Sequence, residues 1–229
     1  MDQDKAIEFN PKNAKAYSNR GDAYSKLSNY NQAIADLNKA IEFNPKFAEA
    51  YYNRGNTFDK LGNYNQAIAD LNKAIELNPK FAEAYYNRGI AYGTLGNLNQ
   101  AIADFDKAIE LNPKFAFAYN NHGFANSSLG NWNQAIADYD KAIELDPKNE
   151  LAYVNRGNAH GNLGNYNLVI VDFNRVLELN SKSAFAYYKR GIAYDKLGKN
   201  EQAIADFKKA ASIGFKEAQN YLTNKGIAW

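Results

Sequence analysis

Apolar positions along this chain recur at helical steps, in pairs of stripes separated by short polar breaks. In "AYYNRGNTFDKLGNY" the stripe is Tyr51, Phe58 and Leu61, and in the following "NQAIADLNKAIELNP" it is Ala67, Ile68, Leu71, Ala74 and Ile75. Steps of three, four and seven residues put these side chains on one side of a 3.6-residue helix, so each stretch predicts an amphipathic helix. Gly62 between the two predicts a helix stop and Asn63 the N-cap of the second helix. Asn78-Pro79 and its counterpart Asp146-Pro147 predict the next break, with Asn or Asp as cap and Pro in the first turn of the following helix. Ser181 stands in the proline place of "LNSK", which predicts a looser junction there.

The pattern is periodic. The hexapeptide "AYYNRG" occurs at 50–55 and again at 84–89. Its final triplet continues as Asn19-Arg20-Gly21, Asn121-His122-Gly123, Asn155-Arg156-Gly157 and Lys189-Arg190-Gly191, always at a spacing of 34 residues. A strict period of this length is the mark of stacked helical repeats. Six units fit without a gap between residues 14 and 217. Residues 1–13 match only the end of a unit's second helix, so the chain is expected to begin inside a repeat, with an open N-terminal edge. A further helix from about 216, running into a tail over 218–229, is expected to cap the array with Lys216, Glu217, Gln219 and Asn220 on its wet side. The expected fold is therefore all-α, a solenoid of antiparallel helix pairs.

These residues resemble the tetratricopeptide repeat. The second unit carries that family's pattern in Tyr51, Gly55, Phe58, Leu61, Gly62, Tyr64, Ala67, Leu71, Ala74 and Pro79, and the likeness covers residues 14–217. It implies a right-handed superhelix whose first helices line a concave face. Gly55 and Ala67 fall where the two helices of a unit approach closely, and Ala74 faces the next unit. Val169 and Val176 replace two such alanines and mark the fifth unit as the most divergent.

Two recurrent polar residues need separate explanations. Arg20, Arg54, Arg88, Arg156 and Arg190, with His122 in the fourth unit, are each followed sixteen residues later by an aspartate: Asp36, Asp70, Asp104, Asp172, Asp206 and Asp138. The arrangement predicts a structural pair, the arginine stem packed between helices and its head on the carboxylate. The asparagine one place earlier should turn toward the concave face, so that Asn19, Asn53, Asn87, Asn121 and Asn155 form a ladder. A carboxamide offers two donors and an acceptor and can hold a peptide group without reading a side chain. The resemblance extends to the O-linked N-acetylglucosamine transferases, whose superhelix uses the same asparagine place to contact the backbone of extended ligands. Lys15, Ser18, Asp22, Glu49 and Asn56 make the neighbouring face polar in the early units. From the third unit it turns apolar, through Ile90, Phe117, Phe124, Leu151, Val154, Phe185, Tyr188 and Ile192. An exposed apolar strip marks a contact surface. The expected function is a scaffold that binds a protein or an extended peptide in this groove. The alternatives are a self-assembling structural protein, a homo-oligomer joined through the open N-terminal edge, or the non-catalytic arm of a larger enzyme.

Composition narrows the remaining classes. The 27 basic and 25 acidic residues nearly cancel, with no block of one sign, so neither a nucleic-acid partner nor a membrane surface is expected. The chain has no cysteine, which excludes disulfides and thiolate metal sites. Its two histidines, His122 and His160, occupy packing places, so no metal or other cofactor and no enzymatic activity are expected. "GNLGN" at 161–165 lacks the Gly-Lys-Ser/Thr ending of a phosphate loop. The two-lysine clamp by which some tetratricopeptide domains grip a C-terminal carboxylate is absent, because Ser18, Tyr52, Tyr86, Asn120, Val154 and Tyr188 fill the corresponding lysine place. "MDQDKAIEFNPK" has no apolar signal region and no membrane-spanning run exists, so the expected location is cytoplasmic.

Overall fold

The computed structural model describes residues 3–229; Met1 and Asp2 of the expected partial repeat lie outside the described residues. The described chain folds into α1 (Gln3–Phe9), α2 (Ala14–Lys26), α3 (Tyr30–Phe43), α4 (Ala48–Lys60), α5 (Tyr64–Leu77), α6 (Ala82–Thr94) and α7 (Leu98–Leu111). It continues with α8 (Ala116–Ser128), α9 (Trp132–Leu145), α10 (Glu150–Asn162), α11 (Tyr166–Leu179), α12 (Ala184–Lys196), α13 (Asn200–Ser212) and α14 (Lys216–Asn224). The protein is an all-α solenoid, and two compact units divide it, Met1–Lys114 and Phe115–Trp229.

Within each unit the helices pack through the stripes that the period defines. In the first unit Ala33, Leu37 and Ala40 of α3 and Ala67, Leu71 and Ala74 of α5 are wholly buried. In the second, Tyr139, Phe173 and Phe207 take the leucine place and fill it with rings. The glycine of each triplet permits this packing. A methyl group at Gly89 would stand 2.7 Å from the Phe105 ring, and one at Gly55 would stand 3.1 Å from Leu71 and 3.2 Å from the Ala67 carbonyl.

The breaks work differently from the sequence expectation. Gly62 ends α4 in a left-handed conformation, φ 76°, with its N–H donating to the Asp59 carbonyl and the Asn63 N–H to that of Phe58. That pair of bonds satisfies two of the helix's last carbonyls. Asn63 does occupy the N-cap of α5, but its side chain accepts no bond there. Asn78 closes the helix before the break instead of opening the one after it. Its Oδ1 accepts from the Lys80 N–H at 3.2 Å, and Phe81 precedes α6, so Pro79 sits in the turn and not in a helical turn. The junction at Ser181 keeps the same bonds, Lys182 N–H to Asn180 Oδ1 at 3.3 Å and Ser183 N–H to the Asn180 carbonyl at 3.1 Å. It is not looser, because the asparagine and not the proline holds this turn.

The Arg–Asp pairs form as expected. Arg54 Nε and Nη2 donate to the two oxygens of Asp70, both at 2.7 Å, and Arg190 grips Asp206 with the same distances. Each guanidinium also lies over a tyrosine of its own helix, 5.7 Å from the Tyr51 centroid for Arg54. The third nitrogen does something the sequence reading missed. Arg54 Nη1 reaches back to Asn38 at 2.7 Å and Arg190 Nη1 to Asn174 at 2.6 Å, each on the second helix of the preceding pair. One arginine thus ties three helices, bonding sixteen residues forward and sixteen back. In the fourth pair His122 Nδ1 sits 2.8 Å from Asp138 Oδ2, with Asn126 beside both.

Candidate functional site

In the first unit a cavity of about 530 Å³ opens along the first helices α2, α4 and α6, bordered by Asn53, Asn87, Ile90, Tyr52, Asn56 and Asp59 and by the Asp22, Ser25, Lys26 and Lys60 ends of the helices. Helical spacing explains the grouping: Tyr52, Asn56, Asp59 and Lys60 fall three, four, seven and eight residues apart on one face of α4. Three predicted site residues, Asn53, Asn87 and Ile90, therefore share one concavity, while Asn19 stands exposed outside it.

The asparagines are already engaged on one side. Asn53 Nδ2 donates to Ser18 Oγ at 3.2 Å; Asn87 Nδ2 donates to Tyr52 OH at 3.1 Å and to Asn56 Oδ1 at 2.8 Å. Rungs of this kind knit successive first helices together. They leave the carboxamide oxygens of Asn53 and Asn87 as the groups that a ligand N–H would meet. Ser18 is buried at 1% exposure, so it belongs to the rung and not to a solvated face.

Asp59 is the unexplained group. Its Oδ1 is buried and meets no hydrogen-bond partner among the described residues. Burial pushes the Asp59 carboxyl above its ordinary range, with Lys60 opposing. The lysines beside it are occupied: Lys26 pairs with Asp22 at 2.6 Å and Lys60 Nζ reaches Ser25 Oγ at 3.4 Å.

In the second unit the ladder continues through a different rung. Asn120 donates to Asn121 Oδ1 and accepts from Asn155 Nδ2, both at 3.2 Å. The predicted apolar strip separates into two sets. Phe117, Phe124 and Leu151 are exposed, at 61%, 58% and 56%. Phe117 and Phe124 are two turns apart on α8 and so share a face. Val154 and Phe185 are half-buried and pack on the core around Phe173, and Tyr188 and Ile192 do the same around Phe207. Phe185 meets the rings of Phe173 and Phe215 at 6.1 and 6.4 Å between centroids, and Tyr188 meets Phe215 at 4.9 Å. Phe215, which leads into α14, covers Phe185 and Tyr188.

A second cavity of about 360 Å³ lies between α10, α11 and α12, with Tyr166, Val169 and Phe173 as its apolar wall and Asn158, Asn162, Lys189, Ile192 and Lys196 at its rim. Lys189 holds the place that the ladder asparagine holds in the other five repeats. His160 is buried nearby on α10; its Nδ1 has no partner among the described residues, and burial holds the imidazole below its ordinary value. Among the described residues no three His, Cys, Asp or Glu side chains gather as a metal site, and no helix is long and apolar enough to cross a membrane.

The sequence reading missed Tyr52, Asp59, Lys189 and Lys196. A signal for them was present. In an array this regular the positions that vary from unit to unit are informative, and the Asp59 place runs Ser25, Asp59, Gly93, Ser127, Gly161, Asp195.

The chain matches family models described as TPR repeat over residues 21–62, 55–96 and 127–164, and as Tetratricopeptide repeat over 3–35, 82–115, 151–183 and 184–213. Among curated proteins no sequence matches it. Solved structures are similar. YrrB, described as a TPR protein with an unusual peptide-binding site, is 27% identical with a TM-score of 0.70, over 78% of this chain and 92% of that one. A tetratricopeptide repeat protein from Parabacteroides merdae is 26% identical with a TM-score of 0.66, over 96% and 88% of the two chains. Pseudomonas aeruginosa pilF, at 17% identity, shares the fold alone, with a TM-score of 0.80 over 98% of this chain and 100% of that one.

Proposed function

We propose that this chain, which belongs to the tetratricopeptide repeat family, is a non-catalytic scaffold that holds an extended peptide segment of a partner protein along its first helices. The observation that carries the reading is the first-unit cavity. It combines the Asn53 and Asn87 carboxamides, the Ile90 side chain and a buried Asp59 oxygen that has no partner among the described residues.

An extended peptide presents a backbone N–H or carbonyl at every residue. The Asn53 and Asn87 oxygens accept from such N–H groups at a spacing that the repeat sets, while their Nδ2 groups stay on the rungs that hold them in position. Turning the Asp59 carboxyl so that its buried Oδ1 meets a ligand donor removes the cost of an unmade buried hydrogen bond, about 1–3 kcal/mol. Ile90 and the Tyr52 ring give apolar contact. Each backbone bond contributes about 0.5–1.5 kcal/mol net. A handful of these and one apolar contact correspond to a Kd on the order of micromolar. The likeness to YrrB, whose description names a peptide-binding site, supports the same reading.

The test is capture from a library of unstructured peptides by the wild type and by an Asn53→Ala/Asn87→Ala variant. Wild-type capture with roughly tenfold weaker binding by the variant is the expected result, since two lost bonds amount to about 1–3 kcal/mol. Equal binding by both proteins would remove the asparagines from the site.

A further inference from the structure

The two cavities differ in what their lysines do. At the first-unit cavity both lysines are engaged, Lys26 by Asp22 and Lys60 by Ser25. In the second unit neither Lys189 nor Lys196 has a carboxylate partner among the described residues, and no acidic side chain borders their cavity. Lys189 is held on one side by the Phe185 ring, its Nζ 5.2 Å from the centroid. Behind the lysines stand Phe173, Val169, Tyr166 and Ile192, and Asn158 and Asn162 add carboxamides at the rim.

From this we infer that the second-unit cavity is a subsite for an acidic peptide segment, two carboxylate side chains flanking a bulky apolar one. The inference rests on the peptide-scaffold reading above and specifies the segment that such a scaffold takes. Lys189 and Lys196 are seven residues apart on α12 and therefore on one face, separated along the axis by roughly 10 Å. In a polyproline-II peptide, with three residues per turn and about 3.1 Å of rise per residue, side chains three residues apart lie on one face about 9 Å apart. A Glu-Phe-Ser-Glu segment then meets both ammonium groups with its carboxylates, and the Phe ring enters the apolar wall between them. Two paired charges at a partly desolvated rim favour the acidic segment over a basic one by attraction on one side and repulsion on the other. The asparagine found at the Lys189 place in the other repeats has no such preference, which accounts for the change of letter at this unit alone.

Fluorescence anisotropy with the full chain tests the subsite. The probes are labelled, N-acetylated and C-amidated Gly/Ser peptides carrying Glu-Phe-Ser-Glu, Lys-Phe-Ser-Lys or Ser-Phe-Ser-Ser. The expected result is binding of the acidic peptide at least about tenfold tighter than the basic one, weakening as salt is raised. Lys189→Asn/Lys196→Gln should bring that ratio close to one while the circular-dichroism melt stays in place, because asparagine is what the other repeats carry at this position. Equal wild-type affinity for all three peptides would overturn the acidic subsite and leave the scaffold reading standing. A preference that survives in the double variant would overturn the assignment to these lysines. No binding of any peptide by the wild type, here and in the library, would sink both readings together.

Discussion

The first unit and the second are written in the same repeat, yet they place different chemistry on the same backbone. The first unit is internally neutralised. Arg20, Arg54 and Arg88 each grip an aspartate, leucine fills two of its three core places with Phe105 in the third, and its cavity offers oxygens. The second unit has His122 in one arginine place, rings at Tyr139, Phe173 and Phe207, and a cavity whose ammonium groups have no carboxylate partner among the described residues. A repeat backbone is a lattice of equivalent sites, so a single letter changed in one copy alters chemistry locally without disturbing the neighbouring copies. Under the proposed function, the departures from the pattern carry the binding chemistry.

The sharpest way to break this comparison is at the clamps. Arg54→Ala should cost about 3 kcal/mol, because Asp70 would remain buried without its partner and the link to Asn38 would go too. Loss of helical circular dichroism in urea measures it, and an unmoved curve would mean that the clamps are incidental. The fourth pair carries a histidine at this place, so His122→Ala should cost less than Arg54→Ala.

A smaller effect is expected at the close approaches. Gly89→Ala places a methyl 2.7 Å from the Phe105 ring, and Gly157→Ala one 3.0 Å from the Phe173 ring. Overpacking of this kind costs about 1–3 kcal/mol. The first-unit variant should lie toward the upper end and the second-unit variant toward the lower, read as the difference between their urea midpoints. Equal midpoints would mean that both rings yield alike.

The smallest effect is electrostatic and confined to the second unit. Burial lowers the His160 pKa in the folded state, so the unfolded chain binds a proton that the folded chain resists. Stability is then fully present above the ordinary histidine value, near 6.5, and declines as the pH falls below it. His160→Phe restores the ring that Phe58 supplies in the second repeat and removes the unpartnered Nδ1. It should raise stability at pH 7.5 by about 1 kcal/mol and widen that gain at pH 5.5. Melts at the two pH values decide it; a gap that does not widen would exonerate His160.

Much of this was legible from letters alone. The 34-residue period, the paired stripes and the triplet glycines determined helix pairs stacked in series, because a repeat that must bury the same face in every copy has one way to do so. The Arg–Asp pairing followed from a constant spacing of sixteen residues. Of the predicted site, Asn53, Asn87 and Ile90 border one cavity, a grouping that follows from period and face, which are both one-dimensional facts. Other matters required three dimensions. The reach of each arginine back to the preceding pair, the use of Asn78 to close one helix instead of opening the next, and the burial of Ser18 all depend on which neighbour arrives first at a polar group. The apolar strip divided for the same reason. Phe117 and Phe124 stay exposed while Phe185 and Tyr188 are taken by Phe215, because hydrophobicity specifies only that a side chain seeks cover, and the adjoining helix decides whether cover is there.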